Sequence, residues 1–201
     1  MGGRENFRAV VPRWYRGEAH LAFTLLSSLG VTAALLLQLR APSLAELSAA
    51  PGFFLFCCFA EYLEHRYLLH RNSRLGAFAF RIHTLEHHVF FTDEEFAPES
   101  RRDWYFVLFP ARLVIGYLAG VVGLFTLLGR LITPNVGWLF GATAAAFFFL
   151  YEVVHFCSHF GLLGWLGEHH RRHHRAERMT GYNFNVVFPV FDWLFGTRLN
   201  G

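Results

Sequence analysis

An all-α integral membrane fold, with about four transmembrane helices and a histidine-rich helical cap on the cytoplasmic side, follows from three observations. Hydrophobic residues make up 54% of the chain and charged residues only 16%, more apolar and less charged than an ordinary soluble domain. Four apolar stretches, about 20–39, 51–70, 106–128 and 136–160, approach or exceed the roughly 20 residues that cross a hydrocarbon core. The cations, all of them arginine, are placed unevenly between alternate connections. A single membrane-embedded domain is expected over 1–201: an arm at 1–19, four spans within 20–160 joined by a cytoplasmic connection at 71–105, and a cap at 161–201.

The arm carries Arg4, Arg8, Arg13 and Arg16 ahead of the first span. That arrangement resembles a secretory signal, but the apolar run exceeds the 7–15 residues of such a segment, so the span is expected to stay attached. With the N-terminus inside, the arm, the 71–105 connection and the tail hold most of the arginines, while the short 40–50 and 129–135 connections carry only Arg40 and Arg130. Both termini are therefore expected in the cytoplasm. The net charge of +3 is then a signal of topology, and no nucleic-acid partner is expected. Glycine pairs four apart, Gly116/Gly120 and Gly137/Gly141, offer close helix approach on spans three and four.

Within 71–105, the mixed apolar and basic run 75–88 suits an interfacial helix, and 92–102 with Pro98 suits a surface turn. After the fourth span a glycine-spaced bend, Gly161, Gly164 and Gly167, leads into the basic histidine tract. The closing stretch 183–196 is aromatic and apolar but too short and broken to span, so it is expected to pack as a lid under the cytoplasmic face. The three cysteines, Cys57, Cys58 and Cys157, form no CxxC pair and sit in apolar runs, as reduced packing residues do.

Eleven of the twelve histidines fall into four clusters: His65/His70, His83/His87/His88, His155/His159 and His169/His170/His173/His174. Imidazole is the commonest neutral metal ligand, and so many neighbouring rings serve no packing purpose, so a shared metal site is the economical explanation. His155 and His159, four apart, share a helix face, with Glu152 one turn earlier; its carboxylate is expected to accept a proton from a ligand imidazole or to contact an arginine. His65 and His70, five apart, lie about 140° apart on an ideal α-helix and reach one centre only if the helix ends or bends between them. Glu61 shares the face of His65 and is the better candidate to hydrogen-bond a ligand there. In 83–88, His83 and His87 are expected on one face with His88 rotated by about 100°, suited to contacting two metals. The last cluster reads as HxxHH from His170 or HxxxHH from His169, so one histidine is surplus. His20 stands outside the pattern.

These boxes, HRYLLH (65–70), HTLEHH (83–88), HFCSH (155–159) and HRRHH (170–174), followed by NFNVVFPVFDWLFGT (183–197), resemble the fatty acid hydroxylase superfamily of sterol desaturases, sterol methyl oxidases and acyl-chain hydroxylases. The resemblance covers about 61–196. It implies a membrane-bound non-haem monooxygenase: two iron ions at the cytoplasmic ends of four transmembrane helices, O2 as co-substrate, and hydroxylation of an unactivated C–H bond of a lipid. The ligands it implies are His65, His70, His83, His87, His88, His155, His159, His170, His173 and His174. His169 competes with His170, and HxxHH is the spacing the resemblance favours. Around them, Glu61, Glu152, His169, Asn183, Asn185 and Asp192 are candidates to orient ligand rings. No catalytic residue beyond the metal centre is implied. With neither a dinucleotide fingerprint nor a fused cytochrome b5 domain in the chain, electrons are expected from an external donor of cytochrome b5, ferredoxin or reductase type.

The chemistry agrees independently. Zinc has no redox activity and is satisfied by four ligands, whereas about ten histidines suit two metals with open positions for O2, although zinc can replace iron in overexpressed protein. A desaturase would use the same centre. A zinc-binding or transport protein would carry polar groups at mid-span, where only Arg112, Glu61 and Glu64, near span ends, are found.

Overall fold

The computed structural model describes residues 3–199, and among them every regular element is helical. In order these are α1 (Gly3–Val10), α2 (Gly17–Leu36), α3 (Leu44–Leu47), α4 (Ala49–Glu64), a π-helix π1 (His65–Leu69), α5 (Ala77–Phe80), π2 (Arg81–His87), α6 (His88–Phe90), α7 (Trp104–Val107), α8 (Ala111–Gly116), π3 (Tyr117–Val121), α9 (Val122–Arg130), α10 (Pro134–His159), α11 (Trp165–His173) and α12 (Val190–Leu194). Four continuous helical stretches are long and apolar enough to cross a membrane: Gly17–Leu36, Leu44–Leu69, Trp104–Arg130 and Pro134–His159. They coincide with the four apolar runs. The fourth is 61% buried, against 11–22% for the others, so it is the enclosed span and the rest leave apolar flank exposed. Leu26, Leu37, Ile115 and Leu127 are among the exposed apolar side chains, as hydrocarbon-facing positions should be.

The chain resolves into two compact units. One gathers Ala19–Cys57 and Phe109–Val153. Its span packing depends on glycine in the fourth span. A Cβ on Gly137 would lie 2.6 Å from the Thr126 carbonyl oxygen, one on Gly141 would overlap Thr126 Oγ1, and one on Gly129 would lie 2.8 Å from Gly137 Cα. Gly116 and Gly120 face open space, so the spacing on the fourth span is used for close approach and that on the third is not. Phe53 stacks on Phe140 at 4.2 Å and meets Phe125 edge-on at 4.9 Å. The two short connections are tied together at one end. Asn135 and Arg40 exchange a pair of 3.0 Å hydrogen bonds, and Glu46, which forms a capping box with Ser43, accepts from Thr133 Oγ1 at 2.6 Å.

The other unit comprises Met1–Glu18, Cys58–Leu108 and Val154–Gly201, and it contains all eleven clustered histidines. One apolar core within it joins Val11, Tyr15, Phe90, Phe91, Phe106 and Val107, with Phe7 and Phe156 packed against it. After α10 the chain turns through Gly161 (φ 68°) and Gly164 (φ 53°), a left-handed conformation that favours glycine, and enters α11.

Candidate metal centre

Helical winding decides which histidines meet. In α10 the ordinary α-helical period places His155 and His159 on one face, and in the fourth box His170 Nε2 lies 3.2 Å from His174 Nε2, again four apart. The other two boxes are wound as π-helix, whose i→i+5 hydrogen bonds stack residues five apart. His88 N–H accordingly donates to the His83 carbonyl, and the two Nε2 atoms lie 3.1 Å apart. In HTLEHH, His83 therefore meets His88 at the ligand nitrogens, while the His83 and His87 rings lie nearly parallel with centroids 5.2 Å apart and His87 offers its nitrogen to the neighbouring set. The helix from α4 changes its winding at His65, where it continues as π1, and ends at Leu69, just before His70. The rings of His65 and His70 lie nearly parallel with centroids 5.0 Å apart.

The imidazoles assemble into two adjoining sets. Ligand nitrogens of His65, His70, His83, His88 and His173 lie within 4.8 Å of one another, and so do those of His87, His155, His159 and His170. His87, His88 and His174 form a third such group and link the two sets. All ten rings are buried. The ten histidines singled out from the sequence are thus brought together. His169 is not among them: its Nε2 lies 3.3 Å from Asp192 Oδ2. His20 lies in the other unit, with Nε2 3.0 Å from the Phe109 carbonyl oxygen.

Burial, helped by neighbouring imidazoles, holds these rings neutral. It pushes His70 down to about 2 and His87 and His173 to about 4, and it holds His83, His88, His170 and His174 well below the ordinary imidazole value. A neutral ring carries one N–H, and five backbone carbonyls claim it at Nδ1: Phe184 for His65, Phe106 for His87 (2.6 Å), Phe96 for His159 (2.9 Å), Tyr182 for His173 (2.8 Å) and Phe91 for His174 (2.5 Å). Each Nε2 of these five is therefore a bare lone pair. His87 and His174 aim such lone pairs at each other across 3.2 Å, and His159 Nε2 is buried with no hydrogen-bond donor. Facing lone pairs repel unless a cation sits between them. The donor set fits histidine-bound metal: all-nitrogen, neutral and oriented by carbonyls.

The polar side chains of the closing stretch do something other than expected. Asn183, Asn185 and Asp192 make no hydrogen bond to any of the ten rings; they shape the loop that presents the carbonyls. Asp192 accepts from Phe184 N (2.9 Å), Asn185 N (2.8 Å) and Thr197 Oγ1 (2.8 Å), and Asn183 Nδ2 donates to the His169 carbonyl at 2.9 Å. Glu61 likewise hydrogen-bonds no histidine. Its carboxylate accepts from Val186 N (2.7 Å), Val187 N (3.0 Å) and Asn185 Nδ2 (2.8 Å) and so ties the loop to α4. Glu152 is buried in the other unit, with the Phe109 backbone as its neighbour. The groups that orient the rings are backbone carbonyls, which every residue possesses, so no residue type announced them.

The comparisons with known proteins converge on the same stretch. The family model described as fatty acid hydroxylase matches residues 50–197. Among curated proteins, the chain is similar to fatty acid 2-hydroxylase of Mus musculus, 29% identical over 152 residues that make up 72% of this chain. The aligned part is 38% of that protein, so the chain spans well under half the length of its relative. No solved structure matches. The four histidine boxes and the closing segment all fall inside the matched residues, and the chain belongs to the fatty acid hydroxylase family.

Proposed function

We propose that this chain is an O2-dependent membrane monooxygenase that hydroxylates an unactivated C–H bond of a lipid, using two iron ions held by His65, His70, His83, His88 and His173 on one side and His87, His155, His159 and His170 on the other, with His174 beside the shared edge. The facing lone pairs of His87 and His174, each fixed by a carbonyl at Nδ1, carry this reading. Family membership supports lipid hydroxylation, and the name of the mouse relative points to a fatty acyl chain as the substrate class.

When bound, the irons supply the redox chemistry that activates O2. The protein contributes orientation and exclusion of water. Carbonyls of Phe91, Phe96, Phe106, Tyr182 and Phe184 lock five rings in the tautomer that offers Nε2 inward. Phe91 and Phe184, both 0% exposed, and Phe96 pack against the rings and keep water from the oxidising centre. On this reading the electrons come from a donor of cytochrome b5, ferredoxin or reductase type. The arginine distribution supports a cytoplasmic location for the centre and both termini.

Metal analysis of protein purified without added metal tests the reading. The expected result is two irons per chain with O2-dependent conversion of a fatty acyl substrate to a hydroxylated product. Exchangeable zinc with no oxidation would overturn it in favour of a zinc-binding protein, and an olefinic product would make the chain a desaturase. Protease added to sealed vesicles of known orientation tests the sidedness through cleavage near the tail.

A further inference from the structure

The family match begins at residue 50, yet the N-terminal helix α1 reaches the loop that orients two of the clustered histidines. Arg4 lies with its side chain only 9% exposed, and its guanidinium grips three backbone carbonyls. Nε donates to Phe90 O at 2.8 Å, Nη1 to Ala97 O at 3.2 Å and Nη2 to Glu95 O. These acceptors flank the two residues whose own carbonyls hold histidines. Phe91, next to Phe90, accepts from His174 Nδ1, and Phe96, between Glu95 and Ala97, accepts from His159 Nδ1. The Phe96 ring also stacks on the His159 ring at 4.2 Å. The planar fork of arginine suits this task, because one rigid group can hold carbonyls at both ends of a loop at once.

The arm has its own anchor. Arg8 pairs with both oxygens of the fully buried Asp103 (2.8 and 2.9 Å), and Asp103 in turn accepts from the backbone of Glu99 and Ser100. Phe7 meets Phe90 and Phe106 edge-on, at 6.0 and 5.7 Å. The arm is therefore packed onto the 90–106 connection by charge, hydrogen bonds and aromatic contact together.

We propose that Arg4 is a positioning residue for His159 of the second histidine set and for His174 beside it: through the Phe90–Ala97 loop it fixes the carbonyls of Phe91 and Phe96, and through them the lone-pair directions of these two rings. This inference rests on the two-metal reading above. It predicts that losing Arg4 weakens one metal position and spares the other, since the carbonyls serving His65 and His173 belong to Phe184 and Tyr182, which Arg4 does not touch.

The test is a Co2+ titration of the metal-stripped full chain in detergent, followed by visible absorption and by bound cobalt per chain. Wild type is expected to take up two ions. In Arg4→Met one of the two affinities should fall about 10- to 100-fold, the range for losing a group that orients a ligand, and the other should hold. On a His83→Ala background, which removes the first set, the single remaining site should show the whole loss. The exposed Arg13→Met is the control and should titrate like wild type. Two wild-type affinities in Arg4→Met, or equal weakening of both, would overturn the inference while leaving the two-metal reading standing. A wild-type chain that binds fewer than two ions would overturn both. If Arg4→Met does not fold, Arg4→Lys decides: it keeps the charge but has a single donor nitrogen in place of the fork, and it should weaken the same single site by less, whereas wild-type behaviour at both sites would again overturn the inference.

Discussion

His169 and His170 are neighbours in a tract of four histidines, yet their rings serve different ends. His170 Nε2 turns to His174 within the clustered set, and His169 turns to Asp192. Alanine at His170 is therefore expected to remove one metal per chain and lower turnover more than about 100-fold, while alanine at His169 should keep both metals and lose at most about 10-fold. Elemental analysis of the two variants checks this, and a larger metal loss in His169→Ala would reverse the assignment. Glu61 is the other residue on which much converges. Glu61→Ala would leave the donors of Asn185, Val186 and Val187 buried without their acceptor, at a cost of about 3–5 kcal/mol, visible as a lowered melting temperature in detergent. Loss of metal with an unchanged melting temperature would instead mean that Glu61 acts on the centre directly.

Among elements, the closing stretch packs directly on the histidines. It supplies the Phe184 carbonyl to His65, Tyr182 just ahead of it supplies its own to His173, and the Phe184 ring packs 5.8 Å from His173 and 6.0 Å from His65. Truncation after Arg178 should leave the four spans inserted, keep helicity nearly intact and empty the set that contains His65 and His173. Wild-type metal content in the truncated chain would reduce this stretch to a surface anchor. The docking of α1 has a pH signature. Burial opposes ionisation of Asp103, but the Arg8 guanidinium and the hydrogen bonds from Glu99 and Ser100 outweigh it and hold the carboxyl below its ordinary value. A carboxyl depressed in the folded state stabilises above its unfolded value of about 3.9, and that contribution disappears as the pH falls through the folded value. Limited proteolysis within residues 3–10 should therefore stay slow down to about pH 4 and accelerate below it, and Asp103→Asn should be cleaved quickly at every pH.

For the whole molecule, the proposed centre would make metal binding part of folding, because ten buried imidazoles, five of them held with Nε2 bare, converge there. An ion that binds the folded chain at 100 times its dissociation constant adds about 2.7 kcal/mol, so two sites add roughly 5 kcal/mol. Chelation should lower the melting temperature, and either Fe2+ or Zn2+ should restore it, with turnover returning for iron alone. A melting temperature indifferent to chelation would show that the rings pack stably without a cation. Protons compete for the same lone pairs, so metal affinity should fall as the solution is acidified.

The sequence by itself determined the all-helical membrane class, the four spans and the ten histidines that gather. Apolar run length answers to bilayer thickness, and clustered imidazoles have few uses other than ligation, so both are written in residue type. Which histidine faces which was decided by tertiary structure. A five-residue spacing reads as 140° apart on an α-helix and as one face on a π-helix, and the choice between those windings depends on how the boxes pack against one another. The same holds for the groups that orient the rings. Side chains such as Asn185 and Asp192 looked suited to the task, but carbonyls of Phe91, Phe96, Phe106, Tyr182 and Phe184 perform it, because a backbone acceptor is set by where the chain passes and not by which residue stands there. The role of α1 was hidden for that reason too: Arg4 appeared as one of several arm arginines, and only the folded chain carries it to residues more than eighty positions away.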